Sequence, residues 1–259
     1  MNPVEYERMA LAEETHWWYR GLRDAIERTL ARGRFALPAS PRILDAGCGS
    51  GANLQMLKDR FAPAYLGGFD ASPLALDWAR RKVPGADLYQ SDIRAPQIHI
   101  ENLDLVLCCD VIYIPGAEAA LPGLALLAGG LRPGGLFVLN LPAYDWLYSE
   151  HDVAIHTSER YTAARVKRLL REIGLLPELV TYRLCALFPA IVAARLPSVL
   201  RAKPARDAAQ SDVRVPSRPV NALLAGILRA ENRLISAGVR LPWGSSVFAV
   251  GRRPGRRAG

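Results

Sequence analysis

Three glycines and three carboxylates between residues 45 and 92 have the types and spacing to hold a ligand. In "ILDAGCGSGANLQ", Ile43 to Gln55, Gly47, Gly49 and Gly51 follow directly on an apolar run that contains Asp45. Glycines at such a turn permit positive φ and present no Cβ, so a ligand can come close to the backbone. A helix after them offers free N–H groups and a positive dipole end, which suit a carboxylate or a phosphate. The spacing is G-x-G-x-G, not the G-x-G-x-x-G of dinucleotide sites, and an acidic residue precedes it. A buried carboxylate there repels a pyrophosphate but tolerates an ammonium or sulfonium. Asp70, 19 residues past Gly51, has two oxygens that can accept both hydroxyls of a ribose. Asp92 in "YQSDIR" can accept from an adenine amino group while Ile93 packs on the ring. Taken alone, the glycines also suit a plain tight turn and the aspartates plain helix caps.

Such a set converges only if the strand ends carrying it lie along one edge of a sheet. From Arg42 onward, short β-branched or apolar runs alternate with helical patterns, which predicts βαβ units. Strands are expected near 42–47, 65–70, 86–91, 103–109, 135–141, 176–183 and 246–252, and helices near 51–61, 72–82, 117–130 and 162–173. Ser72-Pro73 and Thr162 are plausible helix starts. The fold class expected is α/β: a Rossmann-like, doubly wound, seven-stranded and mostly parallel sheet. Residues 1–35, with "THWWYRGLR" at their centre, form a helical segment able to cover one end of the sheet. The main domain comprises 36–183 and 245–253, interrupted by a helical insertion or cap at 184–244 with a mobile Pro-, Ser- and Arg-rich break at 203–219. The closing "GRRPGRRAG" has the look of a frayed basic tail, 254–259 lying beyond the last strand.

With 259 residues, half of them hydrophobic, the chain supports one sizeable core, and no disordered or fibrous class fits. The net charge of +8 is uneven: residues 201–259 hold 12 Lys or Arg against 3 Asp or Glu. Cys48, Cys108, Cys109 and Cys185 lack C-x-x-C spacing and are expected to be reduced, with no metal site. The acidic start has no basic n-region before an apolar core, so a cytoplasmic location is expected.

The ordered set "LDAGCGSG", "GFDAS", "SDI", "LDLVLCCDVIYI" and "LRPGGLFVLN" resembles the class I S-adenosylmethionine-dependent methyltransferases over residues 42–183. That resemblance implies S-adenosyl-L-methionine as cofactor and S-adenosyl-L-homocysteine as product. It implies that Asp45, Gly47, Cys48 and Gly49 line the methionine part, that Asp70 with Ala71 holds the ribose, and that Asp92 and Ile93 frame the adenine. Cys109, Asp110 and Val111 would border the methyl group. Tyr19 and Arg23 of the N-terminal segment would complete a lid, with Arg20 or Arg23 pairing with the cofactor's carboxylate. The bland alternative buries Trp17, Trp18 and Tyr19 against the core.

The acceptor parts should follow strands four and five. "CDVIYIPG" is not the Asn/Asp-Pro-Pro-Tyr run of many nucleic-acid amino-methyltransferases. "LPAYDWLYSEHDVAIHTSERYTAARV" gathers Tyr144, Trp146, Arg160 and Tyr161 as candidate substrate-binding residues. His151, His156 and Tyr113 are the candidate catalytic residues, a histidine serving as base or orienting the acceptor. Alternatively, Asp152, His156 and Arg160 only pin the loop. The "HD…H…RYT" pattern and the N-terminal "HWWY" resemble a bacterial subgroup associated with glycan, lipid or secondary metabolism, although Leu22 and Glu159 stand where arginines are frequent there.

The apolar run from Leu184 to Leu200, interrupted by Pro189, Arg195 and Pro197, argues against a membrane span. Its helices suit a packed cap, a greasy pocket over the site, or peripheral membrane contact through 184–240. The expected activity is methyl transfer to an oxygen or carbon of a small, partly apolar molecule. An RNA methyltransferase and a non-catalytic cofactor-binding protein are the alternatives, and the absence of a nucleic-acid module weighs against RNA. Oligomeric state stays open.

Overall fold

The structure, a computed structural model, describes residues 12–31, 33–113, 116–149, 152–153, 157–200 and 215–255. The expected strands form one sheet: β1 (Arg42–Ala46), β2 (Tyr65–Asp70), β3 (Asp87–Gln90), β4 (Leu103–Cys109), β5 (Leu131–Pro142), β6 (Leu176–Arg183) and β7 (Ser246–Arg252). Their order is β3-β2-β1-β4-β5-β7-β6. The ladders joining β1 to β5 are parallel, and β7 runs antiparallel between β5 and β6. The chain leaves β1 toward β2 on one side and returns to β4 on the other. A crevice therefore opens at the carboxyl ends of β1 and β4.

Alternate residues of the strands feed two cores, as a period of two requires. On one face Leu44, Val106, Phe137 and Leu139 pack against α4 (Leu121–Gly130) and α5 (Ala163–Glu172) through Leu124, Leu127, Val166 and Leu170. On the other, Ile43, Leu105, Leu107, Val138 and Phe248 meet α1 (Trp17–Ala31) through Leu22, Ile26 and Leu30. The N-terminal helix thus covers a face of the sheet, where the sequence suggested an end. The helices α2 (Ala52–Phe61) and α3 (Pro73–Lys82) flank β1 and β2. Ser72 caps α3 by accepting from Ala75 N at 3.4 Å, and Thr162 caps α5 by accepting from Arg165 N at 3.2 Å.

The insertion contributes α6 (Phe188–Leu200) and α7 (Arg218–Ser236). The second of these is a packed layer, not a loose cap. A Cβ on Gly21 would stand 2.3 Å from Leu228 Cδ1, so glycine lets α1 and α7 come this close with Leu228 in its present rotamer. Asn232 Nδ2 donates to Gly21 O and to Asp24 Oδ2, both at 2.8 Å. Asn221 bridges the same helices, accepting from Trp17 N and donating to Thr15 O, both at 2.8 Å. Most of the break expected at 203–219 lies outside the described residues.

The sheet also claims residues given to the turn before strand five. β5 begins at Leu131, paired with Leu103, and takes in the Arg-Pro-Gly-Gly turn, where Gly134 has a φ of 82°. Arg253 N donates to Gly135 O and Gly134 N to Arg253 O, both at 2.9 Å, which extends the ladder past β7. Arg252 Nε pairs with Glu178 Oε1 at 2.5 Å. Gly251 and Arg252 belong to β7, as the expected strand 246–252 has them, and Arg253 adds its pairing with the Gly134-Gly135 turn. Among the described residues, no helix is long and apolar enough to cross a membrane.

Candidate functional site

The glycine loop is bound to the end of β2, because Gly47 N and Cys48 N both donate to Phe69 O, at 2.8 and 2.9 Å. Gly47 has a φ of 79°, and a Cβ there would lie 2.3 Å from Val111 Cγ2, so this glycine lets the loop close onto the segment after β4. Gly49, with a φ of 54°, has nothing within 4 Å of the place its Cβ would occupy, and it lines a cavity of about 860 Å³. α2 starts on Gly51 with no side-chain cap. Its first N–H groups, with Ala52 and Asn53 on the cavity lining, are left for a ligand.

The three carboxylates differ in their surroundings. Asp45 stands behind the loop, 1% exposed and off the cavity lining, and its Oδ2 has no hydrogen-bond partner. Burial, then the charges of Asp70 and Glu13, push its carboxyl up to about 8. Asp70 lines the cavity, its Oδ2 accepting from Gly49 N at 3.0 Å and its Oδ1 from Ser72 N at 2.9 Å. Burial raises its pKa against these bonds. Asp92 and Ile93 also line the cavity, but Asp92 grips Arg94, with Nε at 3.0 Å from Oδ1 and Nη2 at 2.5 Å from Oδ2. That hydrogen bonding holds Asp92 below the usual carboxylate range. Sequence reasoning missed Arg94, since nothing in "SDIR" marks which way the arginine turns.

The N-terminal segment closes the same cavity. Trp17, Trp18, Tyr19 and Arg23 line it. Burial, then Glu13 and Asp110, raise the Tyr19 hydroxyl well above its usual range. Arg23 Nη2 donates to Glu13 O at 2.6 Å. The Glu13 carboxylate bonds to Ser50 Oγ in the glycine loop and lies 3.7 Å from Lys82 Nζ. The segment thus packs into the core through Leu22, Ile26 and Leu30 and lines the cavity through Trp17, Trp18, Tyr19 and Arg23.

Beyond the glycine loop the lining continues through Cys109, Asp110, Val111 and Tyr113 to Asp152, Arg160, Leu184, Ile191 and Arg195. Arg160, 3% exposed, donates from Nε to Asp152 Oδ1 at 2.9 Å and from Nη1 to Ala143 O at 2.5 Å. Asp152 also accepts from Ser149 N at 2.9 Å and lies 3.6 Å from Arg195 Nη1. Burial would raise its pKa, but the charge and hydrogen bonds of Arg160 hold it below the usual value. Arg195, which sequence reasoning passed over, follows Ile191 by one helical turn on α6.

Three candidate substrate residues stand off the cavity lining. Tyr144 stacks on Tyr182 at 5.1 Å and on Trp146 at 5.6 Å, beside Phe188. Trp146 is 52% exposed. Tyr161 is buried, its hydroxyl donating to Ile112 O at 2.6 Å. Of that set only Arg160 reaches the cavity. His151 and His156 lie outside the described residues. The four cysteines are unpaired, three of them buried.

Residues 43–135 match the family model described as a methyltransferase domain. A trans-aconitate 2-methyltransferase of Methylobacterium nodulans is 35% identical over 128 residues, 47% of each chain. The corresponding protein of Paracidovorax citrulli is 34% identical over 112 residues, 42% of each. The chain thus spans under half the length of these curated relatives. Among solved structures, a Haloferax volcanii putative methyltransferase in complex with the Trm112 activator superposes with a TM-score of 0.60 at 19% identity, over 99% of this chain and 96% of that one. A Haemonchus contortus phosphoethanolamine N-methyltransferase 2 in complex with S-adenosyl-L-methionine gives 0.61 at 13% identity, over 98% of this chain and 57% of that one. The sheet accordingly has the Rossmann-like fold of these class I methyltransferase structures, and residues 43–135 are the part that matches the methyltransferase-domain model.

Proposed function

We propose that this protein is an S-adenosylmethionine-dependent methyltransferase acting on an oxygen or carbon of a small, partly apolar molecule. One observation carries the proposal: the glycine loop, Asp70 and the Asp92-Ile93 pair face a single cavity of about 860 Å³ that opens at the β1 and β4 ends. Open space over Gly49 fits the amino-acid part of the cofactor, whereas Asp45, buried behind the loop, stands outside the cavity and does not touch it. Asp70 keeps a lone pair on each oxygen for a ribose diol after its backbone bonds are counted. Ile93 and Phe69 offer apolar surface to an adenine, with Asp92 beside it. When bound, the cofactor supplies an electrophilic methyl group on a sulfonium. The chain's own residues then align the acceptor and exclude water. Trp18, Tyr19 and Leu22 close the lid side, and Leu184, Ile191 and Ala194 form an apolar acceptor wall.

His151, His156 and Tyr113 remain candidates for handling the acceptor's proton, and Tyr113 lines the cavity. The apolar acceptor wall supports glycan, lipid or secondary metabolism over RNA. The matched relatives make trans-aconitate the test compound for a carboxylate acceptor, the class set against a hydroxyl or carbon acceptor. Isothermal calorimetry with S-adenosyl-L-methionine and S-adenosyl-L-homocysteine on the folded protein tests the site, and both should bind. Incubation with methyl-labelled cofactor and fractionated extracts tests the activity. Folded protein that gives no heat with either compound would refute the proposal. Salt-sensitive RNA binding with label in RNA would transfer it to the RNA reading.

A further inference from the structure

One wall of the cavity leads into a line of buried polar groups that the proposed function leaves unused. Asp110 takes a left-handed φ of 57° directly after β4 and lines the cavity. A non-glycine residue held there at the end of a core strand is backbone strain that neighbouring structure must sustain. Both Asp110 oxygens accept from Asn140 Nδ2, at 3.1 and 3.0 Å. Asn140 Oδ1 in turn accepts from Arg183 Nη1 at 3.2 Å, which fixes the amide with its N–H groups toward Asp110. Arg183 is 0% exposed, and its Nε and Nη2 have no hydrogen-bond partner.

The nearby carboxylate does not clamp that guanidinium. Glu231 of α7 accepts from Leu184 N at 2.6 Å and from Ala186 N at 3.2 Å, and it acts on Arg183 through charge alone. A fully buried cation without a contact carboxylate is among the most costly groups a core can hold. An apolar residue would fill the same volume at lower cost. The placement makes physical sense if the cation serves the anion two residues along the chain of bonds.

We propose that Asp110 receives the proton released by the acceptor during methyl transfer, and that Arg183, acting through Asn140, is its positioning residue. The inference rests on the methyltransferase reading. The step balances as follows: the acceptor's X–H bond breaks, its electron pair forms the new bond to the methyl carbon, and the pair of the severed carbon–sulfur bond stays on sulfur. The proton goes to an Asp110 oxygen. The acceptor is then a group that carries a proton at its reacting atom, a hydroxyl or an activated carbon–H. A carboxylate has no such proton at neutral pH and would meet a like charge.

The groups facing Asp110 are Tyr19 of α1, Arg183 of β6 and Cys109 beside it. Asp45 of β1 shares Cys108 and Cys109 with it as electrostatic neighbours, and Glu231 of α7 stands behind Arg183. Burial raises the Asp110 carboxyl to about 7 against the pull of Asn140 and Arg183. It can therefore change charge close to neutral pH.

The test needs no known acceptor. The affinities of S-adenosyl-L-methionine and S-adenosyl-L-homocysteine are measured by calorimetry between pH 6 and pH 8. Only the first carries a sulfonium, which favours an ionised Asp110, so their affinity ratio should rise about ten-fold across that range. Asp110→Asn, which keeps the shape and the bond from Asn140, should flatten the rise. Arg183→Met should move its midpoint to higher pH, and Asn140→Ser provides the same readout if Arg183→Met does not fold. Retention of the rise in Asp110→Asn, or its loss in Asp45→Asn alone, overturns the proposal. Binding of neither compound by wild type refutes the methyltransferase reading instead, whereas binding of both without pH dependence sinks only this inference. Labelled product from extracts should withstand mild base as an ether or C-methyl compound. Release of labelled methanol from an ester overturns the acceptor class.

Discussion

The two ends of the cavity are built from different materials. The glycine-loop end is made mostly of backbone: left-handed glycines, uncapped N–H groups of α2, and amides that fasten Asp70. The α6 end is made of side chains, with Asp152 joining Arg160 and Arg195 across loop and helix. A backbone cradle tolerates many side chains around it and depends on a few positions where none is allowed. A side-chain wall can be re-cut for another acceptor, but each cut risks leaving a buried charge alone. The shared ligand is therefore expected at the first end and the specificity at the second.

The largest expected effect tests the second end. Asp152→Ala leaves Arg160 buried without its counter-charge and should cost about 3–5 kcal/mol in urea unfolding, with cofactor affinity changed by only a few-fold. An equal loss of cofactor affinity would erase the distinction between the ends. Within the glycine loop, Gly47→Ala combines left-handed strain with an overlap on Val111 and should cost about 2–4 kcal/mol. Gly49→Ala should cost only about 1 kcal/mol in stability, yet weaken cofactor binding more than ten-fold, since its methyl group enters open cavity. A reversed order of these two in calorimetry would show that the cradle has been misassigned.

The pH dependence is smaller and its sign follows from the buried acids. Asp45 and Asp110 titrate near about 8 and about 7 in the folded chain, against an ordinary 3.8. The folded state keeps protons that the unfolded chain has shed, so their contribution is complete below about pH 4 and is lost as pH rises through 7 to 8. Asp92 and Asp152 are held low and act oppositely, their contribution present above about pH 4 and lost in acid. The thermal midpoint of the ligand-free protein should be highest near about pH 5 and fall by several degrees toward pH 8, less steeply in Asp45→Asn. A midpoint that climbs to pH 8 would contradict this. The smallest effect belongs outside the cavity: Asn221→Ala should cost about 1 kcal/mol by freeing one junction of α1 and α7.

The sheet could be read in the sequence because its strands are short apolar runs bounded by glycine, proline and acidic residues, each a local signal. The seven strands fall where the runs predict, except that β5 starts earlier, since Leu131 pairs across the Arg-Pro-Gly-Gly turn with Leu103. The glycine loop, Asp70 and Ile93 reach the cavity for the same local reason. The acceptor end was less legible, because aromatic density in Tyr144 to Tyr161 does not reveal direction. Tyr144 and Trp146 turn toward Tyr182 and Phe188, partners supplied by a distant strand and helix. Arg183 could not be singled out at all. Its surroundings are set by Asn140 and Glu231, 43 and 48 residues away along the chain, and no pattern within "TYRLC" announces it.

The clasp of α1 on α7 and β7 bears on how the molecule comes off the ribosome. Leu228, Phe248 and Val250, which help cover that side of the sheet, are made about 200 residues after Leu22, Ile26 and Leu30. Over that interval α1 is greasy surface awaiting its cover. A nascent chain halted before Arg218 should be held by chaperones or lost to proteases, and α1 can settle only after β7 has slipped between β5 and β6.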